Sequence, residues 1–468
     1  MFSTNNNIEI ISNCGNVAIE TEKITLTYSE LLFKINRKAA HFSQFINKGE
    51  IVPILSENSI EFVVTIFALW KIRSIPSPIN IMLSEAEINE LLEIVKANKV
   101  IVSENLKNKI SNYSTIEIEG EFPIKKSSTS IEIDKDSDAL ILFTSGSTSK
   151  PKAVLFTFRN LLANAEDISK IFTSSKNNSW LASLPFYHIG GFAIIFRSIF
   201  SYSKIIIPES LHFESIVKSI EKFHPSFFSV VQTTLKRLLE KDVKPYSELR
   251  AVFAGGGPID AKTMGTAINK GFPVYKVYGS TETTSMVTIL SPEDFEQKPE
   301  AAGKPFSGIN LTLTNENEII IGGEQIAKGY FNNPEETSKK FRDEKFYTGD
   351  LGRIDDDGFL FITGRKEDFI ISGGENVNLQ KVKKVFLSLD FIEDAETFAL
   401  PDSEWGEKLC VALVLKEKIE KETIKSIVSE HLGKFEIPKE IFVLNHIPRN
   451  HLGKIKKSEL LNLINRNF

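Results

Sequence analysis

Four short segments of this 468-residue chain combine residue types suited to holding a polyphosphate, a hard cation and a sugar. The first is TSGSTSKPKA at 144–153, directly after the apolar run at 139–143. Small residues let a backbone fold tightly round an anion with its amide hydrogens pointing inward. The hydroxyls add donors, and Lys150 and Lys152 add charge. The spacing is not that of the nucleotide P-loop, since GxxxxGK[ST] occurs nowhere in the chain. A Ser/Gly/Thr loop alone reads as a flexible linker; the preceding buried strand and two lysines favour phosphate binding. The second segment, VYGSTETTS at 277–285, also follows a strand. Glu282 among small hydroxyl residues at a strand's carboxyl end suits a cation such as Mg²⁺, and Tyr278 offers a ring to stack on a base. Taken alone, a Thr-Glu-Thr cluster is a helix cap. The third spans 347–377. Asp350 sits in a Gly-flanked loop with two acceptor oxygens for the hydroxyls of a ribose. DDDG at 355–358 reads as a hairpin turn, and GRKED at 364–368 as a hinge. The fourth, IPRNHLGKIKKSEL at 447–460, places Lys454 after Gly453 in what would otherwise be a basic surface tail.

The elements that must position these segments alternate. Helical spacing at 31–46 and 61–72 is interleaved with apolar runs at 51–55, 100–103 and 139–145. Such alternation predicts an α/β fold with a doubly wound parallel sheet. A second series follows, with strands at 204–208, 227–232, 251–257 and 274–279 and helices between them. Beyond residue 300, runs at 309–313, 318–323 and 358–364 lie between Asn, Gly and Asp turns and predict an all-β portion. Strands at 394–401 and 408–415 belong to a small α+β unit, and the charged run at 416–425 reads as a solvated helix face.

Composition bounds the function. With 41% hydrophobic residues, 25% charged and a net charge of −5, the chain builds packed cores, at roughly two to four domains for this length. Disorder and a nucleic-acid footprint are excluded. Cys14 and Cys410 alone cannot form a disulfide framework or a cysteine-rich zinc site. The opening MFSTNNNIEI lacks a basic stretch before an apolar run, so no secretory leader is expected. The apolar stretch at 184–196 is interrupted by Pro185 and His188 and too short to span a bilayer. A cytoplasmic protein with no membrane span and no nucleic-acid partner is expected. The excess of Phe, 35 against 9 Tyr and 3 Trp, reads as core composition.

The four segments, in this order, resemble the acyl-adenylate-forming, AMP-binding superfamily of acyl-CoA synthetases, luciferases and peptide-synthetase adenylation domains. The resemblance extends from LTYSEL at 26–31 through ALWKIRSIPSPIN at 68–80 to the chain's end. It implies two doubly wound α/β subdomains at about 1–170 and 171–295, and a distorted β-barrel at about 296–364. A hinge at 365–367 then leads into a small mobile α+β C-terminal domain at 368–468 that carries the catalytic lysine. It also implies two half-reactions: a carboxylate attacks the α-phosphate of ATP to give an acyl-adenylate, and a thiol displaces AMP to form a thioester. ATP, Mg²⁺ and, as co-substrate, coenzyme A are the implied ligands, beside a small carboxylic acid. By similarity, Thr144, Ser145, Gly146, Ser147, Thr148 and Lys152 cradle the β- and γ-phosphates. Thr281 touches the α-phosphate and Glu282 ligates Mg²⁺. Tyr278, Gly279 and the backbone of Gly255, Gly256 and Gly257 flank adenine, while Asp350 and Arg365 hold the ribose. Lys454 bridges the attacking carboxylate and the α-phosphate, and is then withdrawn as the C-terminal domain rotates and presents the glycine loop at 372–376. The hinge position falls on Glu367, where family members carry Asp or Lys. Ser149, Ala153 and Arg73 stand where glycines are usual; Ala153 costs conformational freedom but no donor.

Amino-acid adenylation domains carry an Asp after a Phe to hold the α-ammonium, whereas LPFYHIGGF at 184–192 has no carboxylate. If 190–200 is a helix, Gly190, Ala193 and Arg197 share a side. That side leaves room for a ligand with a second anionic group; alternatively Arg197 pairs with a surface acid. Within the superfamily, LPFYHIGGFAIIFRS, SVVQTTLKRLLE (229–240), AVFAGGGPI (251–259), the run at 271–293 and SGGENV (372–377) resemble the o-succinylbenzoate–CoA ligases of menaquinone biosynthesis. That resemblance implies an aromatic dicarboxylate, one carboxylate activated and the other bound. His188, as a catalytic and pocket residue, and Arg197 are the candidates for the acid site, with Gln232 and Ser280 beside them; His188 could instead be an aromatic gate. The alternatives are another aryl- or medium-chain acyl-CoA ligase, a stand-alone aryl-acid adenylating enzyme, or a non-catalytic nucleotide-binding homologue.

Overall fold

The computed structural model describes residues 7–12, 14–120, 130–144, 151–173, 175–372, 375–402, 405–449 and 455–467. Its backbone is a nine-stranded sheet. The strands Val274–Ser280, Ala251–Ala254, Phe227–Val230, Ser179–Leu181, Lys204–Ile206 and Val17–Glu20 run parallel in that order. Antiparallel strands close both edges, with Ser285–Leu290 and Lys304–Pro305 on one side and Thr25–Thr27 on the other. FFSV and AVFA are buried at every position, as strands covered on both faces must be. A smaller parallel sheet holds Ile75–Pro78, Ile51–Leu55, Lys99–Val102 and Ser114–Glu117. The α/β class is the one anticipated from the alternation of runs. The strand Val17–Glu20, early in the chain, joins the large sheet through Lys204–Ile206 rather than the small one.

Between the sheets the strand Asp138–Thr144 turns back antiparallel onto Lys152–Thr157, with Thr144 opposite Lys152, and Gly329–Tyr330 pairs on the outer side. The phosphate-loop candidates at 145–150 lie outside the described residues. Asn310–Leu313, Glu318–Gly322, Lys345–Ile354, Phe341–Arg342 and Leu360–Arg365 form the half-barrel. Beyond the 3-10 turn Lys366–Asp368, a separate sheet built on the long pair Ile392–Asp402 and Gly406–Leu415 carries the helices Leu379–Leu387 and Lys421–Ser429. Among the described residues no helix is long and apolar enough to cross a membrane.

Phenylalanine does the packing. Among the described residues, nine of the twelve largest fully buried side chains are Phe. Phe158, Phe192 and Phe196 meet Trp70 edge-on at 5.0, 6.1 and 5.9 Å. Such contacts add about 0.5–1.5 kcal/mol each beyond area burial, and they lock the helices Phe158–Phe172 and Ile189–Phe200 together. The first of these helices starts at a capping box between Thr157 and Asn160. The second starts differently. His188 gives no side-chain cap, and the glycine pair lets the first turn press on the preceding chain. A Cβ on Gly191 would lie 2.1 Å from the Pro185 carbonyl oxygen.

Candidate active site

The strand Val274–Ser280 ends in a turn that no simple hairpin sequence would adopt. Thr284 and Ser285 both have positive φ, 53° and 83°. A Cβ on Gly279 would fall 1.8 Å from the Ser285 carbonyl oxygen, so only glycine fits there. Hydroxyls over-determine the strained backbone. The Ser280 amide donates to Thr283 Oγ1 at 2.8 Å, and Thr284 Oγ1 donates to the Gln325 carbonyl at 2.5 Å. The Ala327 amide donates to the Glu282 carbonyl at 2.9 Å. This frame fixes Thr281 and Glu282, both half-buried.

Glu282 accepts a hydrogen bond from the Tyr330 hydroxyl at 2.9 Å. Lys152 lies 5.2 Å from the centre of the Tyr330 ring and pairs with Glu336 at 2.6 Å. The lysine of the first sequence segment and the glutamate of the second thus both meet Tyr330, while Glu336 pairs with the lysine; neither Tyr330 nor Glu336 is marked by a motif. Hydrogen bonds from Lys152 and then Lys339 hold the Glu336 carboxyl below its usual range. Burial, reinforced by Glu282, pushes the Tyr330 hydroxyl far up, so it stays a donor. Separations of 48 and 184 residues hide these partnerships from local pattern; the only cue is the Gly-Tyr before an acidic helix start at 329–336.

Tyr278, Asp350 and Arg365 also meet. Tyr278 Oη donates to Asp350 Oδ2 at 2.7 Å and Arg365 Nε lies 2.9 Å from Oδ1. Tyr278 is therefore anchored by its hydroxyl, and burial followed by the Asp350 charge raises its pKa well above the ordinary value. Gly255 is required by packing, because its Cβ would stand 2.7 Å from Val277 Cγ2. Gly256 has φ +77°, and the position of a Cβ on Gly257 is open space. The result is a bare ledge beside Tyr278's strand.

The acid-site candidates separate. Asn58 ties the segment before His188 to the smaller sheet, donating to the Leu184 carbonyl and accepting from the Phe186 amide, both at 2.9 Å. His188 packs edge-on against Tyr187 with ring centroids 4.8 Å apart. Arg197 is 3% exposed and has no carboxylate partner among the described residues. Its Nε and Nη2 donate to Asn164 Oδ1 at 2.9 and 2.6 Å, the guanidinium carbon stands 5.7 Å from the Trp180 ring centre, and Nη1 is buried without a partner among the described residues. The pairing with a surface acid is not what the structure contains. Burial pushes the guanidinium down to about 9, which leaves it charged at neutral pH. Ser280 Oγ is also buried without a partner among the described residues. Gln232 is committed elsewhere: its amide bonds Asp260 and Thr263 at the start of the helix Ala261–Asn269.

Lys454, Gly373 and Gly374 lie outside the described residues. Glu367 sits within the 3-10 turn, where neighbouring Lys366 pairs with Glu316 at 2.8 Å and Glu318 at 3.7 Å. A hard cation fits this site: Mg²⁺ is commonly held by one or two carboxylates plus substrate phosphates, and only one Glu282 oxygen is engaged among the described residues.

A family model described as AMP-binding enzyme matches residues 11–331, and one described as AMP-binding enzyme C-terminal domain matches 381–454. The chain is 30% identical over 460 residues to the 2-succinylbenzoate–CoA ligase of Bacillus anthracis (strain A0248), covering 96% of this chain and 95% of the relative. The Bacillus subtilis (strain 168) ligase of the same name is 30% identical over 458 residues, covering 95% and 94%. Among solved structures, o-succinylbenzoate CoA synthetase from Bacillus subtilis in complex with the acyl-adenylate intermediate OSB-AMP superposes with a TM-score of 0.83 at 29% identity, covering 95% of each chain. The same enzyme with ATP and magnesium ion gives 0.84 at 28%, covering 95% and 96%. ATP-bound MatB from Rhodopseudomonas palustris, at 24% identity and 0.81 over 96% of each chain, shares the fold.

Proposed function

The chain belongs to the AMP-binding enzyme family, and on that premise we propose that it is an ATP-dependent acid–thiol ligase converting 2-succinylbenzoate to 2-succinylbenzoyl-CoA in menaquinone biosynthesis. In the first half-reaction an oxygen of one carboxylate attacks the α-phosphorus, the bond to the pyrophosphate oxygen breaks, and an acyl-adenylate forms. In the second the deprotonated thiol of CoA adds to the acyl carbon and AMP leaves. A free carboxylate is a poor electrophile; the mixed anhydride supplies the leaving group.

The observation that carries the choice of acid is Arg197, buried, uncompensated and with one nitrogen unpartnered. An unpaired buried charge is unfavourable by several kcal/mol unless an anion meets it. An acid with a second carboxylate supplies that anion, and a simple aryl or fatty acid does not. His188, the N-cap of the same helix, is assigned to the acid site as well. Ser280, whose hydroxyl has no partner among the described residues, is assigned to the same pocket, whereas Gln232, bound to Asp260 and Thr263, is not.

The nucleotide assignments follow the two clusters. Lys152 exchanges the Glu336 carboxylate for phosphate oxygens, with Thr144, Ser145, Gly146, Ser147 and Thr148 as further donors. Thr281 meets the α-phosphate. Asp350 and Arg365 hold the ribose, and Tyr278, Gly279 and Gly255–Gly257 hold the base. Mg²⁺, when bound at Glu282, neutralises phosphate charge. Lys454 bridges carboxylate and α-phosphate, delivered by the 368–468 domain turning about Glu367, with 1–364 as the fixed part.

Acid-dependent exchange of pyrophosphate into ATP tests the reading. Strong exchange with 2-succinylbenzoate and weak exchange with benzoate or fatty acids is expected. Preference for the simple acids would make the protein another aryl- or medium-chain ligase, and no exchange with any acid a nucleotide-binding homologue. Comparing CoA with a carrier protein as acceptor completes the test.

A further inference from the structure

Arg197 owes its uncompensated charge to a chain of amides whose direction is forced. At the far end stands Asp167, 3% exposed and able only to accept. It takes a hydrogen bond from Gln325 Nε2 at 2.8 Å, beside Lys170 at 3.1 Å and Ser307 at 3.3 Å. With its amide nitrogen turned to Asp167, Gln325 must present its carbonyl oxygen to Asn164, and Asn164 Nδ2 donates to it at 2.7 Å. Asn164 therefore has only its own carbonyl oxygen to offer Arg197, which it does to two guanidinium nitrogens. Asn164 and Gln325 are each 1% exposed, so water does not compete. Two neutral amides thus separate the Asp167 charge from Arg197, orienting the guanidinium without neutralising it. The same chain is pinned to the strained turn, through Asn164 Nδ2 on the Met286 carbonyl at 3.3 Å and the Gln325 carbonyl under Thr284.

We infer that Asn164 is the specificity-positioning residue of the acid site: it holds Arg197 in place while leaving it free to meet a second carboxylate on the substrate. The inference rests on the dicarboxylate reading above. A carboxylate at position 164 would take up the same two donors as a charge-assisted pair and occupy the charge the substrate needs. Asp has the same shape as Asn but no amide hydrogens, so it also gives up the bonds to Gln325 Oε1 and the Met286 carbonyl, a loss that falls on diacid and ester alike.

The test is Asn164→Asp, assayed by pyrophosphate exchange with 2-succinylbenzoate and with its ester blocked at the succinyl carboxylate. The wild-type enzyme prefers the diacid. In Asn164→Asp the KM for the diacid rises about tenfold or more, that for the ester moves less than about threefold, and that for ATP is unchanged. In an Arg197→Met background the Asp substitution leaves the diacid-to-ester ratio unchanged. Gln325→Met, which removes the group that fixes the Asn164 amide, gives a smaller loss in the same direction and decides the matter should Asn164→Asp not fold. An unchanged diacid-to-ester ratio in both variants, or an equal loss on both acids, overturns the role of Asn164. So does a further fall in that ratio from Asp in the Arg197→Met background. A wild-type enzyme without preference for the diacid overturns the dicarboxylate reading itself, and this inference with it.

Discussion

Tyr330→Phe removes one oxygen and leaves the rest of the site in place. The ring is 7% exposed, 5.4 Å from Phe341 and 5.2 Å from the Lys152 ammonium, and Phe keeps both contacts. What is lost is the 2.9 Å hydrogen bond to Glu282. A hydrogen bond to a charged group is worth about 1.5–3 kcal/mol, and water reaching the half-buried carboxylate recovers part of it. A net loss near 1.4 kcal/mol corresponds to about tenfold. The expected outcome is a KM for ATP raised about tenfold at limiting Mg²⁺, and less at saturating Mg²⁺. The KM for the acid should stay within about twofold, because the Arg197 chain shares no side chain with Tyr330, and the melting stability should fall by about 1 kcal/mol or less. Steady-state pyrophosphate exchange over a grid of ATP and Mg²⁺ reads the first two, and thermal unfolding the third. An unchanged KM for ATP, or an equal rise for acid and ATP, would refute the assignment of Tyr330 as the group that orients Glu282.

Three further outcomes follow from the same geometry. Lys454→Ala should abolish adenylation while sparing thioester formation from a supplied acyl-adenylate; equal loss of both half-reactions would refute a role confined to the first. Gly191→Ala sets a methyl 2.1 Å from the Pro185 carbonyl oxygen, so it should destabilise the protein by about 1–3 kcal/mol, with a raised KM for the acid as His188 shifts; a variant as stable as wild type would contradict the close approach. Glu336 titrates below its ordinary value in the folded protein, so its contribution to stability is complete above the usual carboxylate range and lost as pH falls through the folded value. The advantage of wild type over Glu336→Gln, about 1 kcal/mol at neutral pH in this partly exposed pair, should vanish on acidification; an advantage growing toward low pH would be the wrong sign.

The α/β class was legible because its signals are local. Buried parallel strands read as unbroken apolar runs, as in FFSV and AVFA, and cap residues such as Thr157 stand one turn from their partners. Other features were not local. The antiparallel return of Lys152–Thr157 onto Asp138–Thr144 follows no run of alternation. Val17–Glu20 finds its partner at Lys204–Ile206, far along the chain. The turn at 281–285 is held in part by the Thr284 hydroxyl reaching the Gln325 carbonyl, which nothing in VYGSTETTS announces.

By itself the sequence determined which chemistry the chain can carry. Hydroxyls, lysines and carboxylates stand within a few residues of one another at strand ends, and their spacing needs only local backbone to be understood. It also placed Arg197 on a helix beside small residues. Only the tertiary structure decided what surrounds each group: that Tyr330 lies between Lys152 and Glu282 and Glu336 pairs with the lysine, that Tyr278 is tied to Asp350, and that Arg197 faces an amide rather than an acid. The reason is physical. Whether a buried charge is compensated depends on groups that packing brings together from segments far apart in the chain, and burial makes that difference large enough to select a substrate.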